Sequence, residues 1–184
     1  MSSTAPGPTV VVVSGNPRAG SRTLGAARQV AERVAAEVGG DVTATIDLAT
    51  IAGELLAGEH PAADEARATL AAADVAVIAT PVYKASYTGL LKAFLDLHGP
   101  DGLAGVVVVP LVVSGNPAHA LVGEVHLRPV LVELGAVVPT RSLSVVESQL
   151  ADLGPAVDAW LAGASQALRR ATTSADRELV GAQR

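Results

Sequence analysis

VVVVSGNPRAGSRT, residues 10–23, passes from an unbroken run of valine through a loop broken by glycine and proline to a serine that opens a helical pattern. Four consecutive valines without polar alternation fit a strand buried on both faces, the condition of a parallel sheet. Ser21 reads as the N-cap of a helix that reaches about Val38 and is ended by Gly39-Gly40. The same design recurs in VAVIATPVYKASYTG (75–89) and VVVVPLVVSGNPAH (106–119), and the hexapeptide VVSGNP stands in both the first and the third stretch. This echo is far too short to be a solenoid repeat; it marks two loops with similar duty. In a parallel sheet all three loops emerge at the carboxyl edge, where open α/β sheets bind ligands.

Outward from these stretches, DVTATIDL alternates as a second strand, and 49–62 are irregular around Gly53, Gly58 and Pro61. ADEARATLAAA reads as a helix and VAVIAT as the third strand. A helix from about Ser86 to Leu97 puts Leu90, Leu91, Phe94 and Leu97 at helical spacing. Strand four covers 105–113, a helix 119–135, strand five lies within 137–146, and a last helix covers roughly 153–170. Five strands alternating with helices predict a doubly wound α/β fold, a five-stranded parallel sheet with helices on both faces. A flavodoxin-like order, 2-1-3-4-5, would put the loops of strands one and three beside the switch point. The expected organisation is one domain over 1–170 and a polar tail over 171–184.

The chain has 184 residues, 49% of them hydrophobic, which suits one full core rather than two small ones. Ala, Val and Leu supply that core. Only Tyr83, Tyr87, Phe94 and Trp160 are aromatic, and three of them crowd into 83–94. A net charge of −5 argues against a broad nucleic-acid footprint, and the absence of cysteine removes thiol chemistry. MSSTAPGPT has neither the basic charge nor the apolar stretch of a signal peptide, and runs such as 106–113 fall short of a membrane span. A cytoplasmic protein is expected.

Loop one, Gly15 to Thr23, lies between a strand and a helix N-terminus, where free N–H groups and the helix dipole attract phosphate. Ser21 and Thr23 add hydroxyls; Arg18 and Arg22 add charge. Gly15 and Gly20 satisfy G-x-x-x-x-G, but Ser21-Arg22 replaces the Lys-Ser/Thr that grips outer phosphates and magnesium. G-x-G-x-x-G is absent. The pattern disfavours an NTPase and favours a monophosphate over the plainer alternative, a tight turn with a well-capped helix. Loop two, Thr80 to Gly89, combines a stiff Pro81, Tyr83 and small hydroxyls, which suits a wall beside a planar ring. Its tyrosines would otherwise cap the core or line a subunit contact. Loop three, Ser114 to His119, has Gly115 for close approach to a flat ligand. His119 is either a cover for that ligand or a structural contact; His126 and His60 have weaker claims. No His/Asp/Glu cluster has metal-ligand spacing, and no G-x-S-x-G marks Ser14 or Ser114 as a nucleophile.

With these residues in view, the chain resembles the NAD(P)H-dependent FMN reductases of the flavodoxin-like superfamily, most closely the group that serves sulfonate and chelator monooxygenases. SGNPRAGSRT, ADVAVIATPVYKASYTGLLKAFLDL and GNPAHALVGEVHLRPVLVELGA carry the resemblance over roughly 9–148. It implies an NAD(P)H:FMN oxidoreductase, a homodimer or homotetramer, that passes reduced FMN to a flavin-dependent monooxygenase. Arg18, Ser21 and Thr23 would hold the FMN phosphate. Asn16 stands where such proteins usually have serine. Pro81, Val82, Tyr83 and Lys84 would border the ribityl chain and ring edge, and Ser114, Gly115 and Asn116 the other side of the ring. Hydride would pass from a nicotinamide stacked on the flavin to N5, with no obligatory protein acid or base. Some relatives carry a Tyr or His insertion after the equivalent of His119 that forms a π-bulge at a tetramer interface. Val125 takes that place here, with His126 one step later.

Two rivals accompany this reading. One is an enzyme that keeps FMN tightly bound and reduces quinones or azo dyes. The other is an electron-carrier flavodoxin, against which the scarcity of aromatics and the mild acidity argue. NADH and NADPH stay undivided, with Arg18, Arg22 and Lys84 each placed to meet a 2′-phosphate.

Overall fold

Alternate residues of a strand face opposite sides, and here both sides are apolar, so every central strand is covered twice. The computed structural model describes residues 7–173. Its strands β1 (Thr9–Ser14), β2 (Asp41–Asp47), β3 (Val75–Pro81), β4 (Val107–Ser114) and β5 (Leu143–Val146) form one parallel sheet in the order β2-β1-β3-β4-β5. The expected flavodoxin-like order is therefore the observed one. Val10 and Val12, with Val75, Val77, Val107 and Val109, pack under α1 (Arg22–Val38) and α5 (Gly154–Ala171). Val11 and Val13, with Ala76, Ile78 and Val108, meet α2 (Pro61–Ala71), α3 (Gly89–Leu95) and α4 (Arg128–Glu133) on the other face.

The helix caps follow the sequence. Ser21 accepts the N–H of Leu24, and Gly39 closes α1 in the left-handed conformation at φ 71°, which residues with a Cβ avoid. Thr88 caps α3 by accepting the N–H of Leu91, so that helix begins at Gly89 rather than near Ser86. Helix α2 starts at Pro61, two residues before the expected point, because proline is at home in a first turn. Strand β5 is only four residues long; Val137 reaches β4 through an isolated bridge to Val107. That gap accommodates Pro110 inside a central strand. The N–H of Val108 points to the β5 side, onto the carbonyl of Val137 at 2.8 Å. Pro110, two residues on, faces the same side, and the β5 ladder begins only at Leu111.

The largest departure lies in the expected helix 119–135. Pro117–His119 form a 3-10 turn, Gly123–Leu127 a turn of π-helix, and only Arg128–Glu133 a regular α-helix. Pro129 supplies the reason. It has no N–H to donate, and in a regular helix its ring would strike the carbonyl of Val125; widening the preceding turn by one residue relieves both conflicts. The N–H of Arg128 accordingly bonds back five residues, to Gly123. Helix α5 ends at Ala171, and the rest of the expected tail, from 174, lies outside the described residues, as do 1–6.

Below α3, His98 packs edge-on against Phe94 with ring centroids 5.4 Å apart, and among the described residues neither ring nitrogen has a hydrogen-bond partner. Burial, aided by the Arg67 guanidinium, pushes its pKa below the ordinary 6.5, although the Phe94 and Leu95 carbonyls pull the other way. The unfolded chain therefore takes up this proton at a higher pH than the folded one. Stability is expected to fall as pH drops through about 6.5 and below, and to rise toward neutrality. His98→Gln should flatten that part of the urea-unfolding profile; an unchanged slope between pH 7 and 5 would show that His98 does not contribute to it.

Candidate functional site

Loops one and two are joined through Gly15. Its N–H donates to the Ala79 carbonyl at 2.8 Å, and its own carbonyl accepts from Thr88 Oγ1 at 2.6 Å. A Cβ at Gly15 would lie 2.6 Å from Leu91 Cβ, so no other residue permits this approach. Loop three joins the group at the next strand, where Val82 N–H donates to the Val113 carbonyl at 2.9 Å. The three loops thus meet along adjacent strands β1, β3 and β4, at the carboxyl edge and at the point where strand order reverses.

Within loop one, Asn16 organises the backbone. Its Nδ2 donates to Thr23 Oγ1 at 2.9 Å and its Oδ1 accepts the N–H of Arg18 at 3.0 Å. The echo in loop three folds alike: Asn116 Oδ1 accepts the N–H of Ala118 at 2.9 Å, an Asx turn in both cases. Among the described residues three hydroxyls, one at the end of β1 and two at the start of α1, have no acceptor for their protons. Ser14 Oγ is buried with no partner, Ser21 only accepts from Leu24, and Thr23 only accepts from Asn16. Among the described residues the Arg18 side chain makes no hydrogen bond or ion pair. Donors without acceptors, at the positive end of a 17-residue helix, fit a phosphate dianion and would not suit a cation.

Loop two ends in a tight reversal. Tyr83 and Ser86 exchange backbone hydrogen bonds at 2.9 and 3.1 Å across Lys84 and Ala85, which have φ of 51° and 60°. Two successive non-glycine residues in the left-handed region cost about 1–2 kcal/mol each, a strain typical of binding sites. Pro81 is buried at the end of β3, while Tyr83 and Lys84 are exposed. On loop three Ser114 is buried and its hydroxyl donates to the Asn116 carbonyl at 3.0 Å; Gly115 and Asn116 are exposed. Exposed Tyr83, Lys84, Gly115 and Asn116 line this edge, a mix of one aromatic ring and small polar groups that suits a flat polar ring. The predicted residues of all three loops therefore lie together, whereas His60 lies at the start of α2, paired with Asp64.

Two contacts were not legible beforehand. Asp47, the last residue of β2, accepts the N–H of Gly20 at 2.9 Å and so fixes the far side of loop one. His126, in the π-turn, lies 3.1 Å through Nδ1 from Ser86 Oγ, tying that turn to loop two. The π-turn is itself held firmly. Glu124 accepts the N–H and hydroxyl of Ser142 at 2.6 and 2.8 Å and the Arg128 Nε at 3.0 Å. Burial works to raise the Glu124 pKa, but the Ser142 N–H, the Arg128 guanidinium and the Ser142 hydroxyl outweigh it and hold the carboxyl below its ordinary value.

The sequence pattern of the family described as "NADPH-dependent FMN reductase" matches residues 8–150. The chain is 40% identical over 94 residues to an FMN reductase (NADPH) of Escherichia coli K12; the match covers 51% of this chain and 49% of that protein. It thus spans about half the length of that relative. Against the NADH-dependent FMN reductase SfnE of Pseudomonas putida it is 33% identical over 151 residues, covering 78% of this chain and 79% of the relative. A crystal structure of an NADH:FMN oxidoreductase in its apo form superposes with a TM-score of 0.80 at 35% identity over 91% of both chains. Azoreductase AzrA, at 15% identity and a TM-score of 0.55, shares the fold.

Proposed function

Because the chain belongs to the NADPH-dependent FMN reductase family, we propose that it moves a hydride from NAD(P)H to FMN and passes the reduced flavin to a monooxygenase. The observation that carries this reading is the cluster of donors at and beside loop one that lack an acceptor among the described residues: the hydroxyls of Ser14, Ser21 and Thr23 and the Arg18 guanidinium. FMN supplies the two-electron chemistry when bound. Arg18, Ser21 and Thr23 hold its phosphate, while Asn16, whose amide is used inside the loop, holds their geometry. The strained turn at Lys84 and Ala85 presents Tyr83 and its backbone beside the ring, and Ser114, Gly115 and Asn116 border it opposite. No acid or base is assigned, since hydride transfer needs none. The name of SfnE as an NADH-dependent FMN reductase, together with the resemblance over the three loops, supports the source of electrons and the acceptor.

Subunit association belongs to the same proposal. Leu121, Val125 and Val132 are 66%, 62% and 53% exposed along one helical segment, more apolar surface than a solitary helix tolerates well. A second copy of the chain is the assigned cover, and a monomeric mass by light scattering would remove that part. The activity is tested by NADH and NADPH oxidation on flavin-stripped protein with and without added FMN. Turnover that rises and saturates with FMN supports a reductase using flavin as substrate. A need for one tightly held equivalent and an external acceptor shifts the reading to a quinone or azo reductase. Absence of turnover in both formats refutes it.

A further inference from the structure

Gly25 has no structural reason to be glycine. It is exposed one turn into α1, where alanine would favour the helix by about 0.5–1 kcal/mol. A Cβ placed there meets nothing within 4 Å. The space before it belongs to a groove of about 360 Å³ between α1 and the 3-10 turn Glu147–Ala151 that follows β5. Gly25, Ala26, Leu150 and Ala151 give the groove an apolar lining; Arg22, Gln29 and Glu147 add polar groups to it.

The polar groups differ in character. Arg22 puts a guanidinium at the positive end of the α1 dipole, a place that disfavours a cation unless an anion answers it. Glu147 answers it across the groove at 2.7 Å, with both side chains largely exposed. Gln29 lies two turns further on the same helical face, about 10 Å along the axis. That interval matches the reach of adenosine monophosphate from its phosphate to its exocyclic amine.

We propose that this groove takes the adenosine monophosphate half of the pyridine dinucleotide. The phosphate displaces Glu147 from Arg22, the base lies on the Gly25–Ala26 surface against Leu150, and the Gln29 amide reads the N6/N7 edge of adenine, a bidentate match of donor and acceptor. A volume of this size is within the range of small-molecule sites. Arg22 stands at the end of loop one, as the first residue of α1, so a dinucleotide anchored here extends over the carboxyl edge toward loops two and three. The inference rests on the reductase reading for the source of the ligand.

Reduced nicotinamide mononucleotide, a donor lacking the AMP half, isolates the groove. In Gly25→Leu and in Gln29→Leu, the ratio of kcat/KM for NADH to that for the mononucleotide is expected to fall about tenfold, with NADPH behaving alike. Saturation-transfer NMR should detect AMP on the native protein and lose it in Gly25→Leu. An unchanged ratio in both variants, or equal AMP signals in native protein and Gly25→Leu, overturns the proposal. AMP binding by a native protein that oxidises neither dinucleotide keeps the groove and discards the reductase reading. NADH turnover without AMP binding discards the groove alone.

Discussion

Gly15→Ala is expected to weaken FMN binding at least about tenfold and to lower the unfolding free energy by about 1–3 kcal/mol, the range of an overpacked core position. The new methyl would stand 2.6 Å from Leu91 Cβ and 3.2 Å from Leu91 Cγ. Leu91 is fully buried in α3, and the nearest atom is the root of its side chain, so no rotamer change removes the clash. Relief requires loop one to move off α3. That movement breaks the bonds from Gly15 N–H to Ala79 and from Thr88 Oγ1 to the Gly15 carbonyl, which together set the spacing of loops one and two. Gly115→Ala, in the same hexapeptide one hundred residues later, makes the matched control for stability. A Cβ there meets nothing within 4 Å, so its stability should change by no more than about 0.5 kcal/mol. Flavin-fluorescence titration and urea unfolding of the two variants read both quantities. Equal unfolding free energies of Gly15→Ala and Gly115→Ala, together with native FMN affinity in Gly15→Ala, would show that the loop contact does not shape the site.

That contrast also marks how far the sequence could be read. The repeated VVSGNP announced two loops of one local design, and Asn16 and Asn116 do make the same Asx turn. This was legible because an Asx turn is decided within three residues. The valine runs and the caps at Ser21 and Gly39 were legible for the same reason. What distinguishes Gly15 from Gly115 is Leu91, which a packed helix brings from far along the chain. The contact of Asp47 with Gly20 has the same origin: the end of β2 borders loop one only once β2 is known to lie at the edge beside β1. The pairing of His126 with Ser86 likewise needs the fold. The break in the helix after His119 is a different case. Pro129 stood in plain view inside the expected helix 119–135, and its missing N–H and bulky ring were a sufficient signal for an irregular turn just before it. A short helix and a π-turn there place Val125 and His126 outward, where a regular helix would have rotated them by about a third of a turn.

Arg128→Met is expected to destabilise the protein by about 2–4 kcal/mol, because it removes one charged partner of a partly buried pair and strands two carbonyls. The native guanidinium donates to the Val138 and Thr140 carbonyls, each at 2.6 Å, and to Glu124 Oε2 at 3.0 Å, binding the π-turn to the segment that leads into β5. Gly123 fits against Ser142 so closely that a Cβ would lie 2.5 Å from its Oγ, so the π-turn and this segment move together or not at all. The pH dependence gives a second readout. In the native protein the Glu124 carboxyl is held below its ordinary 4.5, so its contribution is fully present above that pH and is lost as pH falls through the lower folded value. Without Arg128, burial still pushes that pKa up while only Ser142 opposes it. The variant should therefore unfold in acid at a higher pH than the native protein. An Arg128→Met variant whose acid midpoint and urea stability both match the native values would mean that the Ser142 bonds alone hold the turn. If the turn loosens as expected, His126 loses its fixed position beside Ser86, and the strained reversal at Lys84 and Ala85 loses that side-chain tie to the π-turn. The stability of the network of Glu124, Arg128 and Ser142 would then be felt in flavin affinity, which Arg128→Met should lower even at temperatures where the variant is fully folded.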